Sequence, residues 1–528
     1  MKKFKTILLS GLLFGAGSCS LLDTTPQDFI DPDAYYKTAE QLQSALTGVY
    51  ASMAQTNVYG DSMQGRMGLS ADIGYEAYSV DEGTVGYYDV NPADSKIRSY
   101  WRDLYEGIGR ANKLLEHIDG PAMDEAERDD IRGQALFLRA YYHFMLTCRF
   151  GDVPLVLHTP ASGKLSDVRI AQTPRREVYL KIIEDMDAAA ELVLPASEVA
   201  CAGRVSQSAA WGILARVCLY MAGDPINEPG MYARAKEYAA KVIETGFHSL
   251  NPSYQQVFVN YIQDKYDIRE SIFEVEFYGN NVGTYSTTAG RVGRNNGIKF
   301  TNTDMPEVGY SIGSIRATPY YYLLFEDDDE RRDWAIADYT LNNNTGEKEA
   351  AANQWIRFCG KFRREYELIA PKSTSYTATN FPVLRYSDVL LMYAESVAAD
   401  PSAAVGELAV AYEYLNQVRR RGYGRSVHTP VEGVDIEVAD RNTLLEVIKE
   451  ERARELGHEL LRKDDLIRWG EFMDRMEMIR STVPSNYTSN YYVAARAYYG
   501  NFSARDVLWP IPTYELSVNP YLVQNKGW

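Results

Sequence analysis

SDVLLMYAESVAADPSAAVGELAVAYEYLNQVRR, residues 387–420, decides the fold class. Leu390, Tyr393, Leu415 and Val418 recur at helical spacing, and the small residues Ala394 and Ala411 alternate with them. An apolar face of that period belongs to an α-helix packed on one side. Small residues let a neighbouring helix approach closely, so the stretch reads as a helical pair that buries its face against the next pair.

The same alternation fills residues 209–245 through Ala209, Ala210, Ala215, Ala235 and Ala239. Both stretches look like tetratricopeptide pairs, irregular in length, and about four such pairs are expected along the chain. Upstream, Thr38 with Gln41 forms a capping box ahead of Leu42, Leu46, Val49 and Met53. Trp101, Leu104, Ile108 and Leu115 make the next apolar face, which Gly120-Pro121 closes. Asp124 with Glu127 caps a helix running to about Arg149. Thr173 and Pro174 open another, with proline at its favoured first helical position. Ser206 opens one that ends near Gly223, and Gly246 stops the helix after it.

Two stretches break the pattern. Residues 58–98 are rich in Gly, Asp and Tyr and carry no sustained period, which predicts a long loop region. Residues 250–382 are rich in Gly, Asn, Thr and Tyr and read as an irregular insertion with a few short strands. Ile272 to Phe277 alternates apolar and acidic residues, as a half-buried strand does. The fold class is therefore mostly α, a scaffold of helical pairs carrying one long irregular insertion. Such a layout suits a binding protein.

With a formal net charge of −17, the chain is a poor candidate for nucleic acid, because phosphate binding needs clustered Lys and Arg. Tyr is abundant, 40 against 17 Phe, and its ring is apolar with a polar tip suited to a wet surface that must still grip something flat. Lys2, Lys3 and Lys5, then Ile7 to Phe14, then small residues up to Ser18 form a secretory leader too short to span a membrane. Cys19 follows at once, in a setting that resembles a lipoprotein cleavage site with Ala16 where Leu is usual; acyl chains on Cys19 would anchor the mature protein. The other cysteines, Cys148, Cys201, Cys218 and Cys359, form no CxxC and leave their pairing open.

Catalytic signatures fail one by one. Neither GxGxxG nor GxxxxGK occurs. His458-Glu459 opens like a zinc-protease motif, but Arg462 stands where the second His should be. The run Glu326-Asp327-Asp328-Asp329-Glu330 lacks the alternate spacing of a calcium loop and reads as a solvated helix-edge ion network. No local pattern marks a glycosidase pair of carboxylates. No metal or cofactor is expected, and no catalytic residue is assigned. Residues 290–299 form a basic island, with Arg291, Arg294 and Lys299 near Tyr285 and Asn296, able to donate hydrogen bonds to hydroxyls or carboxylates.

From Leu384-Arg385-Tyr386-Ser387-Asp388 to Ala394-Glu395, through Leu415-Asn416-Gln417-Val418-Arg419, and on through Glu451-Arg452, Glu455-Leu456, Glu459, Arg462, Asp465-Leu466 and Arg468-Trp469-Gly470, the chain resembles the SusD/RagB family of outer-membrane lipoproteins. The ending Trp509-Pro510-Ile511-Pro512, Asn519-Pro520 and Gly527-Trp528 fits, as do Arg139-Ala140-Tyr141-Tyr142 and Phe150-Gly151-Asp152-Val153-Pro154. Leu460 and His458 depart from the family's usual Gly and aromatic residue. These motifs read as scaffold: Glu451, Arg452 and Glu455, three and four apart on one helix, look like mutually paired charges.

The resemblance implies a leader at 1–18 and a single SusD-like domain over 19–528, divided into a helical part (19–249), the insertion (250–382) and a helical part with the family motifs (383–528). It also implies a surface-exposed lipoprotein of the outer membrane that captures a glycan and delivers it without catalysis to a SusC-like TonB-dependent transporter. A peptide ligand, or less readily a secreted glycan-degrading enzyme, is the alternative. Ligand residues are expected in the two irregular stretches: Tyr75, Tyr78, Tyr87 and Tyr88 from the first, and Tyr285, Arg291, Arg294, Asn296, Tyr310 and Trp355 from the second.

Overall fold

The computed structural model describes residues 35–77, 84–285, 289–486 and 488–528. The leader and Cys19 lie outside the described residues, as does Tyr78. Helices α1 (Ala39–Tyr50), α2 (Ser95–His117), α3 (Glu125–Phe150), α4 (Arg175–Leu192), α5 (Gln207–Ala222) and α6 (Met231–Glu244) follow in order, and from α2 onward each packs on the next. The insertion then leaves the frame, starting with α7 (Tyr254–Ile262). The chain returns as α8 (Tyr386–Ala399), which packs on α6 and receives α9 (Val405–Gly422) and α10 (Arg441–Leu456). The stack of pairs is thus continuous in space although the insertion interrupts it in sequence. Among the described residues no helix is long and apolar enough to cross a membrane.

Helix starts follow local chemistry. Thr38 and Gln41 form the capping box, the Asp124 carboxylate accepts from the backbone of Ala126 and Glu127, and Ser206 accepts from Ala209. One start is displaced by a residue: Pro174 is the cap of α4, and Arg175 opens it with its backbone N–H on Asp152 at 2.7 Å.

The described residues of the 58–98 stretch, expected to be one long loop region, are largely buried, in short turns (Ser62–Gln64, Ala71–Ile73, Val85–Tyr87) and a strand, Gly74–Glu76. That strand pairs antiparallel with Ile315–Ala317, Tyr75 opposite Arg316, and the sheet runs on through Phe358–Cys359 to Ile336–Ala337. Its hydrogen-bond partners are supplied by the insertion, so no local period announces it. Strand Ser271–Val275 pairs with Phe381–Arg385 and is buried throughout, not half-buried. Its Glu274 is accommodated by hydrogen bonds from Ser271 Oγ and from Asn380 Nδ2 at 3.0 Å, and burial pushes its pKa up to about 8.

A buried charge network joins insertion to frame. Arg385 donates to Glu270 and Glu455, each at 2.9 Å, and to Glu459 at 2.8 Å. Arg421 also grips Glu270 and Glu455, Arg331 grips Asp329, Glu451 and Glu455, and Lys361 meets Glu459 at 2.6 Å. Arg452 pairs with neither Glu451 nor Glu455: it binds Asp388 and Asp465, while Glu455 faces arginines of other elements and Glu451 meets Arg331 and Arg419 as well as Arg454 of its own helix. Of the acidic run, Asp327 is solvated and pairs with Arg332, but Asp329 is buried against Arg331 because that arginine closes the network. The four cysteines carry free thiols.

Removing one partner from a buried network leaves uncompensated charge, at a cost of about 3–5 kcal/mol. Arg385→Leu should therefore lower the denaturation midpoint in urea sharply, and a midpoint unchanged from wild type would show that the network contributes nothing. Glu274 has a folded pKa raised from the ordinary carboxylate value of 4.5 to about 8. The folded chain keeps a proton the unfolded chain has released, so this contribution is full below pH 4.5 and is lost as pH rises toward 8. Glu274→Gln should flatten the decline in Tm between pH 5 and pH 8, measured by circular dichroism.

Candidate functional site

The two irregular stretches meet at Asp61. Arg291 donates its backbone N–H to Gly60 O at 3.0 Å, and its Nη1 forms an ion pair with Asp61 Oδ2 at 2.8 Å. Its guanidinium lies 5.2 Å from the centre of the Tyr376 ring. The short helix Val292–Asn296 then brings Arg294 alongside. Arg294 Nε donates to Thr374 O and its Nη1 to Asn295 Oδ1, both at 3.2 Å, and its guanidinium lies 5.9 Å from the centre of Tyr310. Beneath them buried Asn295 donates to the Asp61 carboxylate and to its carbonyl. The loop is held by a bridge between Gly290 and Thr377; a Cβ at Gly290 would stand 2.6 Å from the ring of Phe277, so only glycine allows this approach.

Arg291, Arg294, Tyr310, Tyr376 and Arg66 are all partly exposed. Partial burial first, then the charge of Arg291, hold the pKa of Arg294 below the usual arginine value; Arg66 acts in the same direction and Asp61 against it. The result is a small cationic surface in an acidic chain, with two phenol rings beside planar guanidinium groups. Such planes match the flat face of a sugar ring, and their N–H groups donate to hydroxyl or carboxylate oxygens.

Three of the expected ligand residues, Arg291, Arg294 and Tyr310, belong to this patch. Tyr285 is 77% exposed and lies in the same insertion. Asn296 is fully buried, and both ends of its amide lack a hydrogen-bond partner among the described residues; it lies under the surface, next to Gly65. Tyr75, Tyr87, Tyr88 and Trp355 are corrections: all four are buried in a second apolar cluster with Phe472, Tyr498 and Tyr499. The Tyr75 hydroxyl donates to Trp355 O across the junction of the stretches, and that of Tyr88 to Gly68 O within the first, both at 2.6 Å; the Tyr88 ring packs on Phe472 and Tyr498, so neither tyrosine presents its ring to a ligand. Asp61, Arg66 and Tyr376 are functional candidates that a reading weighted toward tyrosines passes over. The signal was present: Asp61 and Arg66 are the only charged residues between 55 and 71.

The frame of helical pairs is that of a known family of proteins. A family model described as starch-binding and associating with the outer membrane matches residues 21–219, and a model of the SusD family matches residues 269–528. The chain belongs to the SusD/RagB family. SusD-like protein P2 of Formosa agariphila is 27% identical, with 100% of this chain and 99% of that protein covered. The starch-binding protein SusD of Bacteroides thetaiotaomicron is 23% identical, covering 83% of this chain and 80% of that one. A crystal structure of a SusD homologue from Bacteroides thetaiotaomicron superposes with a TM-score of 0.85 at 26% identity, covering 94% of this chain and 98% of that one. A laminarin-binding SusD-like protein shares the fold, with a TM-score of 0.70 at 23% identity over 93% of this chain and 100% of that one.

Proposed function

We propose that the protein is a non-catalytic surface lipoprotein that captures a nutrient glycan at the Asp61–Arg291–Arg294 patch and delivers it to a SusC-like TonB-dependent transporter in the outer membrane. The observation that carries this reading is the meeting of the two irregular stretches in one partly exposed surface of guanidinium planes and tyrosine rings. Family membership supports it, as do relatives named for binding starch and laminarin. A lipid on Cys19 would keep the binder beside the transporter. The cationic character of the patch also favours a second reading, in which a peptide carboxylate replaces the sugar hydroxyls.

Calorimetry with starch- and laminarin-derived oligosaccharides and with short peptides tests the site. Arg294→Ala and Tyr310→Ala should each weaken binding of the accepted ligand about tenfold, equivalent to about 1.4 kcal/mol. Undiminished affinity in both variants would move the site elsewhere, and release of shortened saccharides would contradict a non-catalytic role. Peptide binding alone, lost in the same variants, would decide for the second reading. Cys19→Ala should shift the protein from the membrane to the soluble fraction, and persistent membrane retention would refute the anchor.

A further inference from the structure

Where α3 ends and α4 begins, the chain lines an open cavity of about 480 Å3, bordered on its other side by two helices that follow α10 in the chain, α11 (Arg462–Arg468) and α12 (Phe472–Thr482). Tyr179, Tyr220, Ile467, Phe472, Met473 and Leu508 give it a mainly apolar wall. None of the patch residues Asp61, Arg291, Arg294, Tyr310 or Tyr376 lines it. Its volume lies in the range of about 300–1,000 Å3 common for small-ligand sites, which combine apolar walls with a few placed polar groups.

One such group is uncommitted. Arg175, the first residue of α4, lines the cavity. Its backbone N–H is taken by Asp152, but among the described residues its side chain forms no ion pair, and Nη2 is buried without a hydrogen-bond partner. A buried donor with no acceptor is unfavourable, and a guanidinium favours an anionic one. The other charges in the wall are occupied. Asp464 is held by both Nη atoms of Arg149, and Arg468 by Glu395 and Asp465. Asp224, exposed at the rim, accepts from Asn227. The position of Arg175 is built into the turn after α3: Gly151 has φ +75°, and a Cβ there would lie 3.0 Å from Leu508 Cδ1 and 3.3 Å from Arg175 Nη2.

We propose that this cavity binds a small amphipathic anion, its carboxylate or sulfonate head on Arg175 and its alkyl or aromatic body against Tyr220, Ile467 and Phe472. Complementarity of charge and of apolar surface selects this class: a neutral sugar would leave the apolar wall unmatched, and a hydrocarbon would leave Arg175 Nη2 without an acceptor. The inference stands apart from glycan capture.

The test is fluorescence titration of the purified full-length protein with anilinonaphthalene sulfonate, followed by displacement with decanoate and with decanol. Saturable one-site binding is expected. Arg175→Gln should raise the dissociation constant about fivefold or more, the contribution of a charge-assisted contact. Met473→Trp, at a lining residue 37% exposed on the rim, should narrow the cavity and weaken dye binding whether or not the arginine variant folds. Decanoate should displace the dye at a concentration at least about tenfold below decanol, which has the same tail without the charge. Dye binding that is absent in wild type or unchanged in both variants, or equal displacement by the alcohol, would overturn the proposal. Glycan affinity in the two variants should equal wild type.

Discussion

The guanidinium of Arg385 lies where the insertion rejoins the helical frame, and the architecture depends on how its charge is met. It bonds Glu270, at the entrance of strand Ser271–Val275, Glu455 at the end of α10, and Glu459 just beyond. Arg421, Arg331 and Lys361 close the network from α9 and from within the insertion. Every charge in it is withdrawn from water, which costs several kcal/mol per ion unless geometry and hydrogen bonds compensate. The compensation is visible in the protonation equilibria. Against burial, which would raise it, Arg421, Arg385 and Arg331 hold Glu455 well below the ordinary carboxylate range. Burial lowers Lys361 to about 8, while Glu459 opposes the shift. A network of this kind tolerates few alternative arrangements, so it fixes where the insertion leaves and re-enters the frame.

With those two points fixed, the insertion folds back over residues 58–98. The four-stranded sheet and the packing of Tyr75 against Trp355 complete that contact. Only the margin of the contact remains open to solvent, and there Asp61 faces Arg291. The patch is thus a by-product of how two non-periodic stretches are clamped together: Tyr75, Tyr87, Tyr88 and Trp355 are buried, while Arg66, Arg291, Arg294, Tyr310 and Tyr376 are left partly exposed.

This explains which features the amino-acid order reveals. Capping boxes and small–large alternation are local, so the helices and most of their starts can be read directly, from Thr38 to Ser206. The strand at Gly74–Glu76 cannot, because its partner at Ile315–Ala317 is remote in sequence. The tyrosines of 58–98 mislead for the same reason. A tyrosine in a Gly-rich stretch looks solvent-facing until the distant surface that buries it is known. Neither residue type is a sufficient guide there: Arg291, Arg294 and Tyr285 reach the surface, while Tyr75, Trp355, Arg331 and Arg364 do not. The family motifs were legible as scaffold, but not the pairing of Glu451, Arg452 and Glu455, which is set by tertiary packing.

The central claim is that the seam between residues 58–98 and the insertion forms the ligand surface. Hydrogen–deuterium exchange with and without a saturating oligosaccharide addresses it directly. The account predicts that added protection concentrates at residues 60–66, 290–296 and 374–377 together. Protection confined to the helical pairs, or to one of the two stretches alone, would contradict it.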